Sequence, residues 1–291
     1  MHPPAPGVRE PTPLRPAWPG ELDDQAFEGT EALYRHEGPP RLTIRRDERR
    51  GVRLDHDYFG TFLVAPGGRE VVCDPRELPS WLWQRFMVGQ VLPLAATLLG
   101  FEPLHAAAVA VDGTAIVCIG PSGAGKSSVA LQLVDRGAAL LADDVAAVSV
   151  KAGRPVVHPG PALISAGEEE LAFLGPEGRI AGWERLGSLE GEARLAGPGL
   201  EMPYLPLAAL FVLSREAGGP PAEIAVHPGP AAKALLGATF NAYVRDPARL
   251  ARHLDVSSAV AGSVPVLALR SGPGGSSHAS AAAIEAWAKG L

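Results

Sequence analysis

The chain has 291 residues, about two domains' worth, and its 46% hydrophobic and 20% charged residues are values of a folded protein, which excludes wholesale disorder. With 26 basic against 32 acidic residues the net charge is −6, so there is no basic footprint for nucleic acid. Two cysteines, Cys73 and Cys118, are too few for a disulfide scaffold or a zinc site and fit a reducing cytoplasm.

The first twenty residues carry seven prolines and no apolar h-region, so no secretory signal is expected, and residues 1–28 read as a Pro-rich disordered tail. Residues 29–100 then read as a small α+β domain. Short strands are predicted over Arg41–Arg46, Val52–Leu54, Thr61–Ala65 and Glu70–Cys73, the last after the turn Pro66-Gly67-Gly68-Arg69. An apolar stretch from Ser80 to Gly100 predicts a helix with a kink at Pro93, its Trp81, Trp83 and Phe86 serving packing. The most apolar region, Phe86–Val111, is broken by Gln90, Pro93, Glu102, Pro103 and His105, so no membrane partner is expected.

From residue 101 to 291 the pattern is α/β. Leu104–Val111 and Thr114–Ile119 predict two strands joined by Asp112-Gly113, and the second runs directly into Gly120-Pro121-Ser122-Gly123-Ala124-Gly125-Lys126-Ser127. A helix over Lys126–Arg136 and a buried strand over Ala139–Ala142 follow, the strand ending at Asp143-Asp144. Further strands are predicted at Val145–Val150, Pro155–His158 and Leu205–Ser214, and helices at Pro230–Ala242, Asp246–Leu254 and Ala281–Lys289, the last after a Gly/Ser loop over Ser271–Ser280.

Gly120–Ser127 fits G-x-x-x-x-G-K-[ST] between a strand and a helix, the context that a phosphate-binding loop requires. Glycines let consecutive amides point inward, and the helix N-terminus adds partial positive charge there. Ser122, Gly123, Ala124, Gly125, Lys126, Ser127 and Ser128 are therefore the candidate nucleotide-binding residues, with Lys126 directed at the phosphates and the Ser127 hydroxyl at Mg²⁺. Lys126 is one of only four lysines in the chain. Asp143 and Asp144 follow it after one helix and one returning strand, a path that brings two carboxylates to the ligand edge of an α/β sheet. One can hold the metal while the other accepts a hydroxyl proton.

The stretch from Leu104-His105-Ala106 through the P-loop to Leu141-Ala142-Asp143-Asp144 resembles the catalytic core of the HPr serine kinase/phosphorylase superfamily. It is most similar to the HPr-kinase-related proteins that phosphorylate peptide natural-product precursors, and His158-Pro159-Gly160 extends the likeness. The resemblance implies a P-loop core like the HPr kinase C-terminal domain, with ATP or another phosphate donor and Mg²⁺ as cofactors. It implies Asp143 as general base toward a serine hydroxyl, Asp144 and Ser127 as metal-side ligands, and His105 as a neighbour tuning Asp143. The implied acceptor is a serine on a peptide or small protein, and the implied assembly a homo-oligomer.

Two positions depart from the family pattern. Ser128 stands where a glutamate usually follows the P-loop serine, and Arg194–Gly199 does not reproduce the Arg-Gly-Leu-Gly signature tied to phosphorolysis. The alternatives are a kinase acting on an HPr-type phosphocarrier or a small-molecule alcohol, and a non-catalytic nucleotide-binding regulator. Arg194, Arg245 and Arg249 are candidate transition-state cations that spacing alone does not rank. The arginines between Arg41 and Arg53, interleaved with Asp47, Glu48, Asp55 and Asp57, read as a solvated face or as a dock for an acidic peptide.

Overall fold

Alternating apolar and polar residues after Glu31 build an antiparallel sheet, as the pattern predicts, with one strand more than the pattern reveals. The computed structural model describes residues 12–216, 219, 221–272 and 276–290. These residues fall into two units, one running to Phe101 and including Phe240–Leu250, the other comprising Glu102–Thr239 and Ala251–Leu291.

In the first unit, β1 (Leu14–Pro16), β2 (Glu31–His36), β3 (Leu42–Asp47), β4 (Gly51–His56), β5 (Gly60–Val64) and β6 (Val71–Pro75) form one sheet in the order β1-β6-β5-β4-β3-β2. The helical segment α1 (Ser80–Phe86) continues through a π turn at Met87–Val91 into α2 (Leu92–Leu99). Pro93 sits in the first turn of α2, so the missing N–H is absorbed by the wide turn just before it. Phe62, Val64, Val71 and Leu54 on one face of the sheet pack against Phe86, Val91 and Leu94.

The disordered-tail expectation is corrected for residues 12–28; residues 1–11 lie outside the described residues. β1 pairs in parallel with Val71–Cys73, and Phe27 is buried with Leu63 and Val72 on the opposite face of the sheet. Pro-rich backbone is already extended, and an edge strand tolerates the lost N–H of Pro16.

The arginine-rich stretch is largely paired with its own carboxylates. Arg45 and Arg53 converge on Asp55 at 2.9 and 2.7 Å, and the Arg53 guanidinium also lies over the Phe27 ring at 5.0 Å. Between the two arginines, Gly51 has φ +112°, and a Cβ there would stand 2.1 Å from the Val64 carbonyl oxygen. Gly51→Ala should therefore destabilise this unit by about 2–4 kcal/mol, read as a lower urea midpoint with an unchanged slope.

The second unit begins with β7 (Glu102–Val111) and β8 (Thr114–Ile119), followed by α3 (Lys126–Asp135), β9 (Ala139–Ala142), β10 (Val145–Lys151) and β11 (Arg154–His158). Next come β12 (Leu163–Gly167), α4 (Glu168–Leu174), β13 (Glu184–Leu189), β14 (Glu192–Ala196), β15 (Leu205–Arg215) and β16 (Glu223–Val226). Helices α5 (Ala231–Ala238), α6 (Pro247–Ser263) and α7 (Ser277–Ala288) complete the chain, with β17 (Val266–Ser271) before the last. Helix α7 starts inside the predicted Gly/Ser loop, capped by the Ser276 side chain on the Ala279 amide; residues 273–275 of that loop lie outside the described residues.

The main sheet runs β11-β10-β7-β8-β15-β17-β16, and β11 also pairs with β15, closing five strands into a ring. β8, β15 and β17 are parallel, so their C-terminal ends lie on one edge. One face packs on α3, α7 and the separate sheet β12-β14-β13; the other packs on α5 and Val256 and Val260 of α6. The small sheet escapes sequence prediction because its core positions include small residues, Ala166 and Ala193, beside Ile164 and Leu195.

Candidate active site

β8 is apolar from Ala115 onward, and its last residue, Ile119, delivers the chain into the Gly120–Ser127 loop. Gly120 takes φ +152°, and a Cβ there would stand 2.7 Å from the Leu213 carbonyl of the neighbouring strand β15, so only glycine fits. The loop closes with the Ala124 amide donating to the Pro121 carbonyl at 3.2 Å. Gly125 sits at the N-cap of α3 with φ +92° and contributes no capping side chain, which leaves the first-turn amides for an anion. Ser127 and Ser128 lie in that first turn, whereas Ser122 is exposed on the loop.

Lys126 is 7% exposed, and its Nζ folds back to donate to the carbonyls of Gly120 at 3.1 Å and Pro121 at 3.2 Å. Burial lowers its pKa, while the charges of Asp144 and Asp143 pull the other way. The ammonium is thus held at the loop mouth, facing both acids.

Both acids belong to a break in one long pairing. β9 and β10 run along the same strand β7, Ala142 opposite Ala108 and Val145 opposite His105, and the two aspartates fill the gap. Asp144 adopts φ +65°, a left-handed conformation that Asp tolerates, while its carbonyl accepts from the Ala106 amide at 3.2 Å. The Asp143 side chain is 3% exposed, with Oδ2 accepting from the Ser165 amide at 3.2 Å and Oδ1 buried without a hydrogen-bond partner. Burial and then the Asp144 charge raise its pKa from 3.8 to about 6, against a smaller pull from the Ser127 hydroxyl, the Ser165 amide and the Arg194 charge.

Arg194 is the arginine that the fold selects. β12 pairs Ser165 with Arg194 on β14, and the Arg194 Nη1 donates to the Ser165 Oγ at 2.8 Å and stands 3.6 Å from Asp144 Oδ2. Arg249, by contrast, caps the carbonyls of Phe240, Asn241 and Val244, and Arg245 reaches the Ala242 carbonyl at 3.3 Å. Burial and then the Lys126 charge lower the His105 pKa, opposed by Asp144. Its register partner Val145 follows directly on Asp144, whose charge the imidazole feels.

Lys126, Ser127, Asp143 and Asp144 thus come together, and His105, a candidate only through the family resemblance, lies on the neighbouring strand β7. Ser165 carries no sequence signal at all, and Arg194 becomes distinguishable only through the β12–β14 register. No cluster of three or more His, Cys, Asp or Glu side chains able to hold a metal occurs among the described residues. A hydroxyl and one or two carboxylates beside a phosphate loop is a donor set that suits Mg²⁺, which keeps substrate oxygens and waters as its other ligands.

Residues 97–166 match the family model described as HPr Serine kinase C-terminal domain. Among curated proteins, the HPr kinase/phosphorylase of Chlorobium phaeobacteroides (strain BS1) is 38% identical over 60 residues, 21% of this chain and 18% of that protein. That of Chlorobium phaeovibrioides (strain DSM 265 / 1930) is 45% identical over 51 residues, 18% of this chain and 15% of that protein. The aligned stretch thus spans under a fifth of these relatives' length. A solved structure, the Hpr(Ser) kinase/phosphatase from Coxiella burnetii, is 13% identical with a TM-score of 0.30, covering 65% of this chain and 94% of that one, too distant to carry an argument. No helix among the described residues is long and apolar enough to cross a membrane.

Proposed function

We propose, from the premise that residues 97–166 carry the core of the HPr serine kinase superfamily, that this protein transfers a phosphoryl group from Mg-ATP to a serine hydroxyl on a peptide or small protein. The observation that carries the reading is Asp143, a carboxylate 3% exposed with one oxygen held by the Ser165 amide and the other, Oδ1, without a hydrogen-bond partner, set beside a P-loop lysine and serine; burial raises its pKa to about 6. A base with that pKa is mostly ionised at neutral pH yet stronger than an ordinary carboxylate.

In this reading the loop amides and Lys126 hold the phosphate chain. The Ser127 hydroxyl and the Asp144 carboxylate would hold Mg²⁺, which when bound supplies charge neutralisation at the phosphate oxygens. Asp143 accepts the serine proton at Oδ1 while the Ser165 amide fixes Oδ2. The seryl oxygen then bonds to the γ-phosphorus, and ADP leaves with the electrons of the broken bond. Arg194 steadies Asp144 from the other side and keeps the two carboxylates from repelling freely. Burial and the Lys126 charge disfavour a positive charge on His105 beside Asp144.

The departures at Ser128 and Arg194–Gly199 favour an acceptor other than HPr, and a peptide precursor fits the family's closest pattern. The test is intact-mass analysis after incubation with Mg-ATP and, separately, HPr, a peptide ending in serine, and free serine. Addition of one phosphate to the peptide supports the reading. Addition to HPr or free serine alone replaces the acceptor and keeps the chemistry.

A further inference from the structure

The parallel pairing of β15 with β8 puts Val212 opposite Ile119, so β15 ends level with the P-loop. Its last residue, Arg215, is exposed and extends over that loop, with its Nη2 3.4 Å from where a Cβ on Gly125 would stand. Among the described residues no hydrogen bond or ion pair ties this guanidinium down. Lys126 lies differently, with its ammonium bonded to the carbonyls of Gly120 and Pro121. Among the described residues the P-loop thus has one cation bonded to its own carbonyls and another that reaches it from the end of β15.

We propose that Arg215 is a phosphate-binding residue of the nucleotide site, donating guanidinium N–H groups to anionic oxygens of the phosphate chain held over Gly125. The inference rests on the nucleotide-binding part of the function proposed above and adds a contact that the P-loop motif does not contain. Several features support it. The strand fixes the Cα, and the absent side chain at Gly125 leaves room for the planar group to lie on the loop backbone. Among the described residues the guanidinium also has no carboxylate to leave before it can act. A planar fork of donors suits phosphate oxygens, and hydrogen bonds to charged groups are the strong ones.

The experiment is calorimetric binding of ATP, ADP and adenosine to the full chain, comparing wild type with Arg215→Ala and Arg215→Lys. Thermal unfolding of each variant checks that it is folded. Arg215→Ala should weaken ATP and ADP binding about 10–100-fold and leave adenosine binding unchanged. Arg215→Lys should recover part of the loss, because it keeps the charge and loses the fork. ATP affinity within twofold of wild type in Arg215→Ala overturns the inference while leaving the P-loop site standing. Equal losses for ATP and adenosine overturn it as well, since they mark a structural role. Failure of the wild type to bind any nucleotide overturns this inference together with the proposed function.

Discussion

Asp143→Asn should lower phosphoryl transfer by about 10²–10⁴-fold while leaving ATP affinity near that of wild type. Asn keeps the size of the side chain and an oxygen for the Ser165 amide, and it cannot accept the seryl proton. The same substitution has a stability signature whose sign follows from the raised pKa. Between pH 3.8 and about 6 the folded wild type holds more protons than the unfolded chain, so its stability falls as pH rises through that window. Above it, the cost of a buried charge is fully present. Asp143→Asn lacks that cost and should be more stable than wild type at pH 8 by about 1–3 kcal/mol, with the two curves converging toward pH 4. Urea unfolding at both pH values measures the difference. A variant less stable than wild type at pH 8 would show that the carboxylate is stabilised where it lies.

Lys126→Ala should lose both functions together. Its ammonium is a cation buried at the loop mouth and closes the loop through two carbonyl contacts, so removal takes away charge stabilisation of the transferring group and part of the loop's shape. Transfer should fall about 10²–10³-fold, and nucleotide affinity should fall with it. Comparing the two variants separates the kinase from a nucleotide-dependent switch. A switch tolerates Asp143→Asn and fails with Lys126→Ala, whereas a kinase fails with both and keeps nucleotide binding only in the first.

How much of this was legible depended on how local each signal was. Gly120–Ser127 and the strand and helix around it are consecutive in sequence, and their pattern is set by backbone geometry at the loop itself, so Thr114–Ile119 was predicted with its observed limits. The Asp143-Asp144 pair was legible because one helix and one short strand return the chain to β7. Ser165 and Arg194 were not placed by sequence, because their juxtaposition comes from pairing between β12 and β14, strands whose small residues give weak periodicity. Arg215 depends likewise on the parallel register between β15 and β8.

In the first unit, proline density over residues 12–28 hides the order there, because the extended backbone that proline favours serves an edge strand as well as a disordered tail. The attachment of residues 240–250 to that unit rests on contacts far apart in sequence. The Asn241 side chain donates to Thr97 Oγ at 3.0 Å, and the Tyr243 hydroxyl donates to Asn241 at 2.7 Å. No local pattern announces such a network.

The central claim is that Asp143 acts as a base at a P-loop, and phosphoserine formation measured by mass spectrometry from pH 5 to 8 tests it most directly. The wild type should transfer one phosphate from Mg-ATP to a serine acceptor, with the rate rising through an apparent pKa near 6, and Asp143→Asn should give a low rate without that rise. Equal transfer by both proteins, or tight nucleotide binding with no transfer to any serine acceptor at any pH, would contradict it.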